Sequence, residues 1–433
     1  MTSGARLNPT DEMLVGAERA LGSLPDRQVL WRLSRPAAGG GPAGGVAGGS
    51  TVGRLGRRPA PARIPGARRA WVPASNAEPP HEDTVPLTDD TAPDWTDAQV
   101  RVPLTLDSPA LWRLAAAPYG RGTLVSLTVP HFRADGLGIL AALGEDGVPS
   151  APPGPAGDLA DAVGQLTRAA TGSARWAARA LADRRELTRL ATALRGPAGP
   201  PPPASEPRFF TSAVFDLDAA QWEERARAHG GTANSLFVEI AANLVRARVP
   251  LDGRDAVHVG IPVSLRRGPA DRRANALVVV PLSVPAGGPR HTGLRPTRRA
   301  TRAVLDGTGE HSATLVPEPL WHLLPARCAG RLKAPGAQAT DVVASNFGTL
   351  PTAAARFAGV PADGVALRTM NVPGLVPERA RLRASLCLVR AGDRLTVTVT
   401  AMPDHFGDAR ALRKLVAEEF AAWGLRSREW WPG

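Results

Sequence analysis

Two hydrophobic rhythms alternate along this chain. Short, nearly unbroken apolar runs rich in Val, Ile, Leu and Thr recur at residues 27–34 (RQVLWRLS), 123–129 (TLVSLTV), 208–217 (RFFTSAVFDL), 257–265 (VHVGIPVSL), 276–284 (ALVVVPLSV) and 339–348 (ATDVVASNFG). Their composition and length predict buried β-strands. Between them, apolar positions fall three and four apart and predict helices at 9–22, 136–143, 232–247 and 408–425. In the helix at 232–247, Leu236, Phe237, Ile240, Leu244 and Val245 share a face; in the last, Leu412, Leu415, Val416, Phe420 and Trp423 do. A further helix runs from about Asp218 to the glycines after His229, and a basic one lies near 296–306. Residues 383–402 read as a hairpin turning at Ala391-Gly392-Asp393. Residues 70–100, polar and punctuated by proline, read as irregular.

The region from Asp158 to Arg195 is helical, with a break expected at Gly172. It sets Leu159, Val163, Leu166 and Ala170 at helical spacing and carries seven arginines after position 167 against Asp183 and Glu186. Such a helix either packs on the body with a solvated arginine face or touches anionic lipid or an acidic partner in a peripheral contact. The proline-rich stretch at 196–207 is the clearest linker. Three segments follow: an N-terminal lobe at 1–157, the basic helical stretch and linker at 158–207, and a C-terminal lobe at 208–433. Strands mixed with helices in both halves predict layered α/β domains.

Composition narrows the function. The chain has 433 residues, 43% of them hydrophobic, enough for two cores. Its net charge of +12 rests almost wholly on arginine, Lys333 and Lys414 being the lysines. The excess suits acidic or phosphorylated partners, but no nucleic-acid motif or basic stripe with interleaved aromatics is visible. The glycine-rich stretch at 36–54 lacks the G-K-[ST] of a phosphate loop and reads as a loop. Cys328 and Cys387 are far apart, and no histidine or cysteine pair has zinc-ligand spacing. No G-x-S-x-G elbow is present. Without an apolar leader or an 18-residue apolar run, the expectation is a cytoplasmic protein, at most resting on a membrane surface.

One stretch concentrates chemistry. In TVPHFRADGLGIL (128–140), His131 follows a predicted strand, and Asp135 and Gly136 precede a predicted helix. A histidine there has an ordinary pKa near neutrality and can act as a general base; an aspartate four residues on can hold the turn or the ring. Gly136 is expected to let the backbone turn tightly. A structural histidine fits those residues equally well. His405, between Asp404 and Asp408, reads as part of a surface loop in which Asp408 caps the last helix.

The surroundings carry a resemblance. Ala110-Leu111-Trp112, then His131 to Gly136 some twenty residues later, are similar to the N-terminal half of the wax ester synthase/diacylglycerol acyltransferase family, within the wider HxxxD superfamily of condensation domains. It continues through the basic middle, the linker, 232–247, 260–284 and 339–351 to the hairpin and last helix, about 80% of the chain. Pro130 stands where the family has a first histidine, and Asn234-Ser235 where it has Asn-Asp. Ser345-Asn346-Phe347-Gly348 is closer to the condensation type, and the echo of the family motif at 370–374 falls too late to count. The resemblance implies two chloramphenicol-acetyltransferase-like lobes in a V, a crossover from the second bracing the first, and an interlobe tunnel. It implies acyl transfer from coenzyme A or a carrier-protein phosphopantetheinyl thioester to an alcohol or amine acceptor, with His131 as base and no bound cofactor or metal. Asp135 would then be chiefly structural, paired with Arg133 or another arginine. Ser345, Asn346 and Gly348 become candidates for the tunnel floor and the oxyanion site. The competing expectation is a non-catalytic condensation-like module that recruits a carrier protein or tailoring enzyme.

Overall fold

The structure is a computed structural model and describes residues 6–21, 26–34, 55–143, 153–195, 209–251, 253–268, 271–306, 312–334, 336–369 and 380–432. The glycine-rich stretch, the proline linker and the motif echo at 370–374 lie outside them.

In the first half the order is α1 (Pro9–Leu21), β1 (Asp26–Leu33), β2 (Arg57–Ala60), β3 (Ala70–Pro73), β4 (His81–Glu82), α2 (Ala92–Val100), β5 (Arg113–Tyr119), β6 (Gly122–Pro130), α3 (Gly136–Ala142), α4 (Pro155–Ala182) and α5 (Arg184–Arg195). The second half begins with β7 (Thr211–Asp218), α6 (Ala219–Ala228), α7 (Ala233–Arg248), β8 (Ala256–Ser264), β9 (Leu277–Pro285), α8 (Arg295–Asp306), α9 (Glu318–Leu323) and α10 (Ala326–Arg331). It ends with β10 (Val342–Thr349), β11 (Arg356–Phe357), β12 (Val360–Thr369), β13 (Ala384–Ala391), β14 (Arg394–Ala401), α11 (Pro403–Phe406), α12 (Ala409–Ala422) and β15 (Ser427–Glu429).

Two large sheets organise the molecule. One has the strand order β11-β12-β1-β6-β5-β4, the other β15-β7-β14-β13-β10-β8-β9, and β2 pairs with β3 alone. Strands β11 and β12 come from the second half of the chain yet extend the first sheet, so the crossover expected from the resemblance is present. The residues joining β10 to β13 carry it, and β12 pairs with β1 over nearly its whole length. Each sheet buries a face. On the second, Trp222, Phe237, Ile240, Leu244 and Phe420 from α6, α7 and α12 cover alternate strand residues such as Val259, Val342 and Val397. Between the sheets, Val29, Trp31 and Leu33 of β1 meet Val125, Leu127 and Val129 of β6, Ile139 and Leu140 of α3, and Cys387 and Val389 of β13. That shared core locks the halves together and puts the end of β6 beside the second sheet.

Helix starts follow their caps. Thr232 and Ser235 bond each other's backbone amides in a capping box that the sequence reading did not name, and Asp408 accepts from Ala411 N at 2.8 Å, the cap that it did. Several expectations are corrected. Residues 70–100 contain β3, β4 and α2, whose apolar content is too sparse to give a periodic signal. Helix α4 runs unbroken through Gly172 and ends at Ala182. Its Leu159, Val163 and Leu166 face outward, at 53%, 53% and 57% exposure, while Asp158, Asp161 and Gln165 are buried. The cause is the arginines beneath: Asp158 pairs with Arg6 at 2.6 Å and Asp161 with Arg68 at 2.8 Å. Buried carboxylates with such partners turn the polar side of the helix inward.

Candidate active site

Strand alternation sets the side chains of the candidate site. On β1, Arg27 shares a face with Val29, Trp31 and Leu33; its register partners are Val129 on β6 and Thr369 on β12. The apolar interlobe core therefore ends in a polar row of Arg27 and Thr369, with His131 just beyond the end of β6. His131 is half-buried.

Both ring nitrogens are engaged. Nδ1 lies 3.1 Å from Asn275 Oδ1, and Nε2 lies 3.0 Å from Arg27 Nη2. The tautomer follows from these partners. Asn275 Nδ2 donates to Asp11 Oδ1 at 3.0 Å and to the Phe132 carbonyl at 3.1 Å, so its oxygen must face the ring. Nδ1 then carries the proton. On the other side a guanidinium can only donate, so Nε2 presents its lone pair. Burial, and next the Arg27 charge, push the pKa of His131 down to about 3. The ring is neutral across the physiological range.

The support behind Asn275 is buried and acidic. Asp11 of α1 accepts from the amides of Asn275 and Asn8, each at 3.1 Å. Burial raises the pKa of Asp11 to about 6 against the opposing pull of those hydrogen bonds. Asp11, Asn275 and His131 thus form a relay that fixes the ring plane from behind, as a carboxylate orients the imidazole of a catalytic dyad.

Asp135 does different work. Its backbone and Oδ1 start α3, accepting from Gly138 N at 2.6 Å. The same oxygen pairs with Arg266 Nη2 at 2.6 Å, and Oδ2 accepts from Ala276 N at 2.8 Å. Its own amide donates to the Ala274 carbonyl at 3.1 Å. One carboxylate therefore joins the turn after β6 to the β8–β9 loop of the other half, next to the Asn275 that holds His131. Of the two alternatives the sequence left, Arg133 or another arginine, the partner is the other one, Arg266; the Arg133 guanidinium bonds the Arg57 carbonyl and stacks on Phe132, 4.8 Å from ring centroid to Cζ. Asp135 has no oxygen left for Arg133, because Arg266, Gly138 N and Ala276 N already fill it.

Gly136 also has another reason than the one expected. Its φ is not in the left-handed region. A Cβ there would sit 2.3 Å from Cε1 of Phe347, so the glycine lets that ring of β10 lie over the start of α3. At Gly138 a Cβ would come within 2.8 Å of Arg266 Nη2 and 2.9 Å of the Ala274 carbonyl, so the clamp on Asp135 needs this glycine too.

The three residues of the second half separate. Ser345 is buried on β10 in register with Cys387 of β13, whose face belongs to the interlobe core. Asn346 points the other way: its Nδ2 donates to Asn234 at 3.1 Å, and its Oδ1 accepts from Gly348 N at 2.9 Å. Gly348, at φ +67, closes that exposed turn. Asn346 and Gly348 are thereby explained as local structure, and Ser345 is the member of the three on the interlobe face.

A cleft of about 300 Å³ lined by Asp89, Asp90, Pro93, Arg410, Arg413 and Trp431 lies by Tyr119, at the other end of the β5–β6 pair from His131. It is not the expected tunnel mouth. No group of His, Cys, Asp or Glu able to hold a metal occurs among the described residues, and no described helix is long and apolar enough to cross a membrane.

No family model and no curated protein sequence matches this chain. Solved structures do. The first condensation domain of the CDA synthetase is 16% identical, with 98% of this chain and 97% of that one covered at a TM-score of 0.57. The fold is that of a condensation domain. The wax ester synthase/diacylglycerol acyltransferase from Marinobacter aquaeolei VT8 shares it at 16% identity, 96% and 98% coverage and a TM-score of 0.55. So does the epimerization domain from the third module of tyrocidine synthetase B, at 11% identity, 98% and 96% coverage and 0.53. The two-lobed α/β architecture expected from the sequence is therefore present. Arg27, Asp11, Asn275 and Arg266 escaped the sequence reading. Arg27 alone left a trace there, as a charge at a core-facing position of a strand.

Proposed function

We propose that the protein is an acyltransferase that moves an acyl group from a thioester of coenzyme A or a carrier protein to a hydroxyl or amine, with His131 as general base. Residues 1–157 and 208–433 act as its lobes, joined by 158–207. The observation that carries this reading is the pair of contacts on His131: Asn275 Oδ1, oriented by Asp11, lies 3.1 Å from Nδ1 and assigns it the proton, which leaves the lone pair on Nε2, on the Arg27 side of the ring. In the reaction, Nε2 takes the proton of the acceptor O–H or N–H as that atom attacks the thioester carbonyl carbon. The tetrahedral intermediate then expels the thiolate, which takes the proton back from the imidazolium. No acyl-enzyme is needed. Asp135 keeps the two halves in register, and Ser345 is the candidate donor to the oxyanion.

The similarity to a condensation domain solved in complex with a substrate analogue supports the class of reaction. An epimerization domain has the same fold, so the residues of the site, not the fold, choose the chemistry. A second reading, a non-catalytic recruiting module, is favoured by one feature: in the free protein the Nε2 lone pair is already occupied by Arg27. The test is incubation with mixed acyl-coenzyme A and acyl-carrier donors plus alcohols and amines, with products identified by mass spectrometry. Transacylated product supports the enzyme. Carrier-protein binding with no product from any pair supports recruitment.

A further inference from the structure

Arg27 is a cation placed where the sheet pattern calls for an apolar side chain. It occupies the same face of β1 as Val29, Trp31 and Leu33, all buried in the interlobe core. Its Nη2 lies against His131 Nε2 and its Nη1 donates to Thr369 Oγ1, while Nε is buried without a partner. Among the described residues no carboxylate forms an ion pair with it. The titratable groups that act on it are Cys387, a thiol that burial keeps protonated, and Asp135, which is already filled by Arg266, Gly138 N and Ala276 N. The neighbourhood is basic as well: Arg57, Arg58, Arg133 and Arg266 lie around the same turn against three acids, Asp11, Glu18 and Asp135. A buried guanidinium with an open donor and no counter-ion is a site that lacks its anion.

We propose that Arg27 is a specificity determinant that receives a carboxylate group of the substrate beside His131. The inference rests on the acyl-transfer reading and names the substrate class for that site. The side of a guanidinium that takes a carboxylate in a two-bond clasp is the one formed by Nε and one terminal nitrogen. Here that terminal nitrogen is Nη2, the atom now on His131. A carboxylate clasped by Nε and Nη2 therefore displaces the imidazole from Arg27 and releases the Nε2 lone pair to the acceptor. Neutralising the cation also removes one of the two causes that depress the basicity of His131. In the resting protein Arg27 caps the base, and the correct substrate uncaps it.

The carboxylate can belong to the acyl donor or to the acceptor, and a matched set of probes tells them apart. Calorimetric titration compares succinyl-coenzyme A with its terminal amide, succinamyl-coenzyme A, and 3-hydroxybutyrate with 3-hydroxybutyramide. Each is titrated into wild type, Arg27→Gln, Arg27→Lys and His131→Ala. The expected result is a preference of about tenfold or more for the acid over the amide in one pair, the scale of a charge-assisted hydrogen-bonded pair. The preference persists in His131→Ala, weakens in Arg27→Lys and vanishes in Arg27→Gln. The acid–amide comparison in wild type needs no variant to fold. Equal binding of acid and amide in both pairs, no binding of either acid, or a preference unchanged in Arg27→Gln overturns the proposal. An intact charge preference with no acyl transfer from any donor leaves Arg27 as proposed and overturns the acyl-transfer reading instead. Transfer without charge preference does the reverse.

Discussion

The role of Asp135 as a clamp between the halves makes a quantitative demand. The carboxylate is 2% exposed and Arg266 12%, so the pair is poorly screened by solvent. Asp135→Ala removes three things at once: a helix cap worth about 1 kcal/mol, the acceptor for the buried Ala276 amide, about 1–3 kcal/mol, and the counter-ion of Arg266, about 3–5 kcal/mol for a buried pair broken on one side. These do not add in full, because Arg266 keeps contacts of 3.3 Å to the carbonyls of Arg273 and Ala274. A loss of about 4 kcal/mol is expected, a large part of the stability of an ordinary domain. Urea unfolding of wild type, Asp135→Ala, Arg266→Met and the double variant measures it. Removing both charges leaves no unpaired ion, so the double variant should be more stable than the sum of the singles by about 2 kcal/mol. Additivity within about 0.5 kcal/mol, or a loss below 1 kcal/mol in Asp135→Ala, would refute the clamp.

Other outcomes follow from the same geometry. Asn275→Ala leaves His131 Nδ1 without its acceptor, and long-range ¹⁵N spectra should show the ring losing its single Nδ1–H tautomer, with turnover down about a hundredfold if the ring must hold that orientation. Gly138→Ala forces a Cβ against Arg266 and the Ala274 carbonyl and should cost about 1–3 kcal/mol by overpacking; chemical denaturation reads this directly. The depressed pKa of His131 has a definite sign in stability. Its contribution is complete above about pH 6.5 and is lost as pH falls toward about 3, because the unfolded chain binds the proton first. Between pH 6.5 and 5 wild type should lose up to about 2 kcal/mol that His131→Gln does not lose, at about 1.4 kcal/mol per pH unit. Asp11, with its raised pKa, works in the opposite sense: the folded chain keeps a proton that the unfolded chain gives up between about pH 4 and 6.

Much of the fold was legible because its central elements are locally consistent. β6, β8, β9 and β13 are rich in β-branched and other apolar residues, and α7 and α12 carry both a cap and an apolar stripe, so period and boundary agree. Elements held by distant partners were not legible. β12 is a strand because β1 offers it an edge, and α4 turns its leucines outward because Arg6 and Arg68 wait for its aspartates. The site divided along the same line. His131 and Asp135 sit in a compact motif, whereas Asp11 and Asn275 stand 264 positions apart and meet only in the fold. Arg133 drew attention by adjacency, but a turn between a strand and a helix aims neighbouring side chains in different directions.

The proposed chemistry depends on the Nε2 lone pair of His131. Single-turnover acyl transfer by wild type and His131→Ala, with donor affinity and the unfolding midpoint measured on the same samples, addresses it most directly. The prediction is a fall of two or more orders of magnitude in the transfer rate with donor binding and folding unchanged. A His131→Ala protein that transfers acyl groups within about threefold of wild type contradicts it.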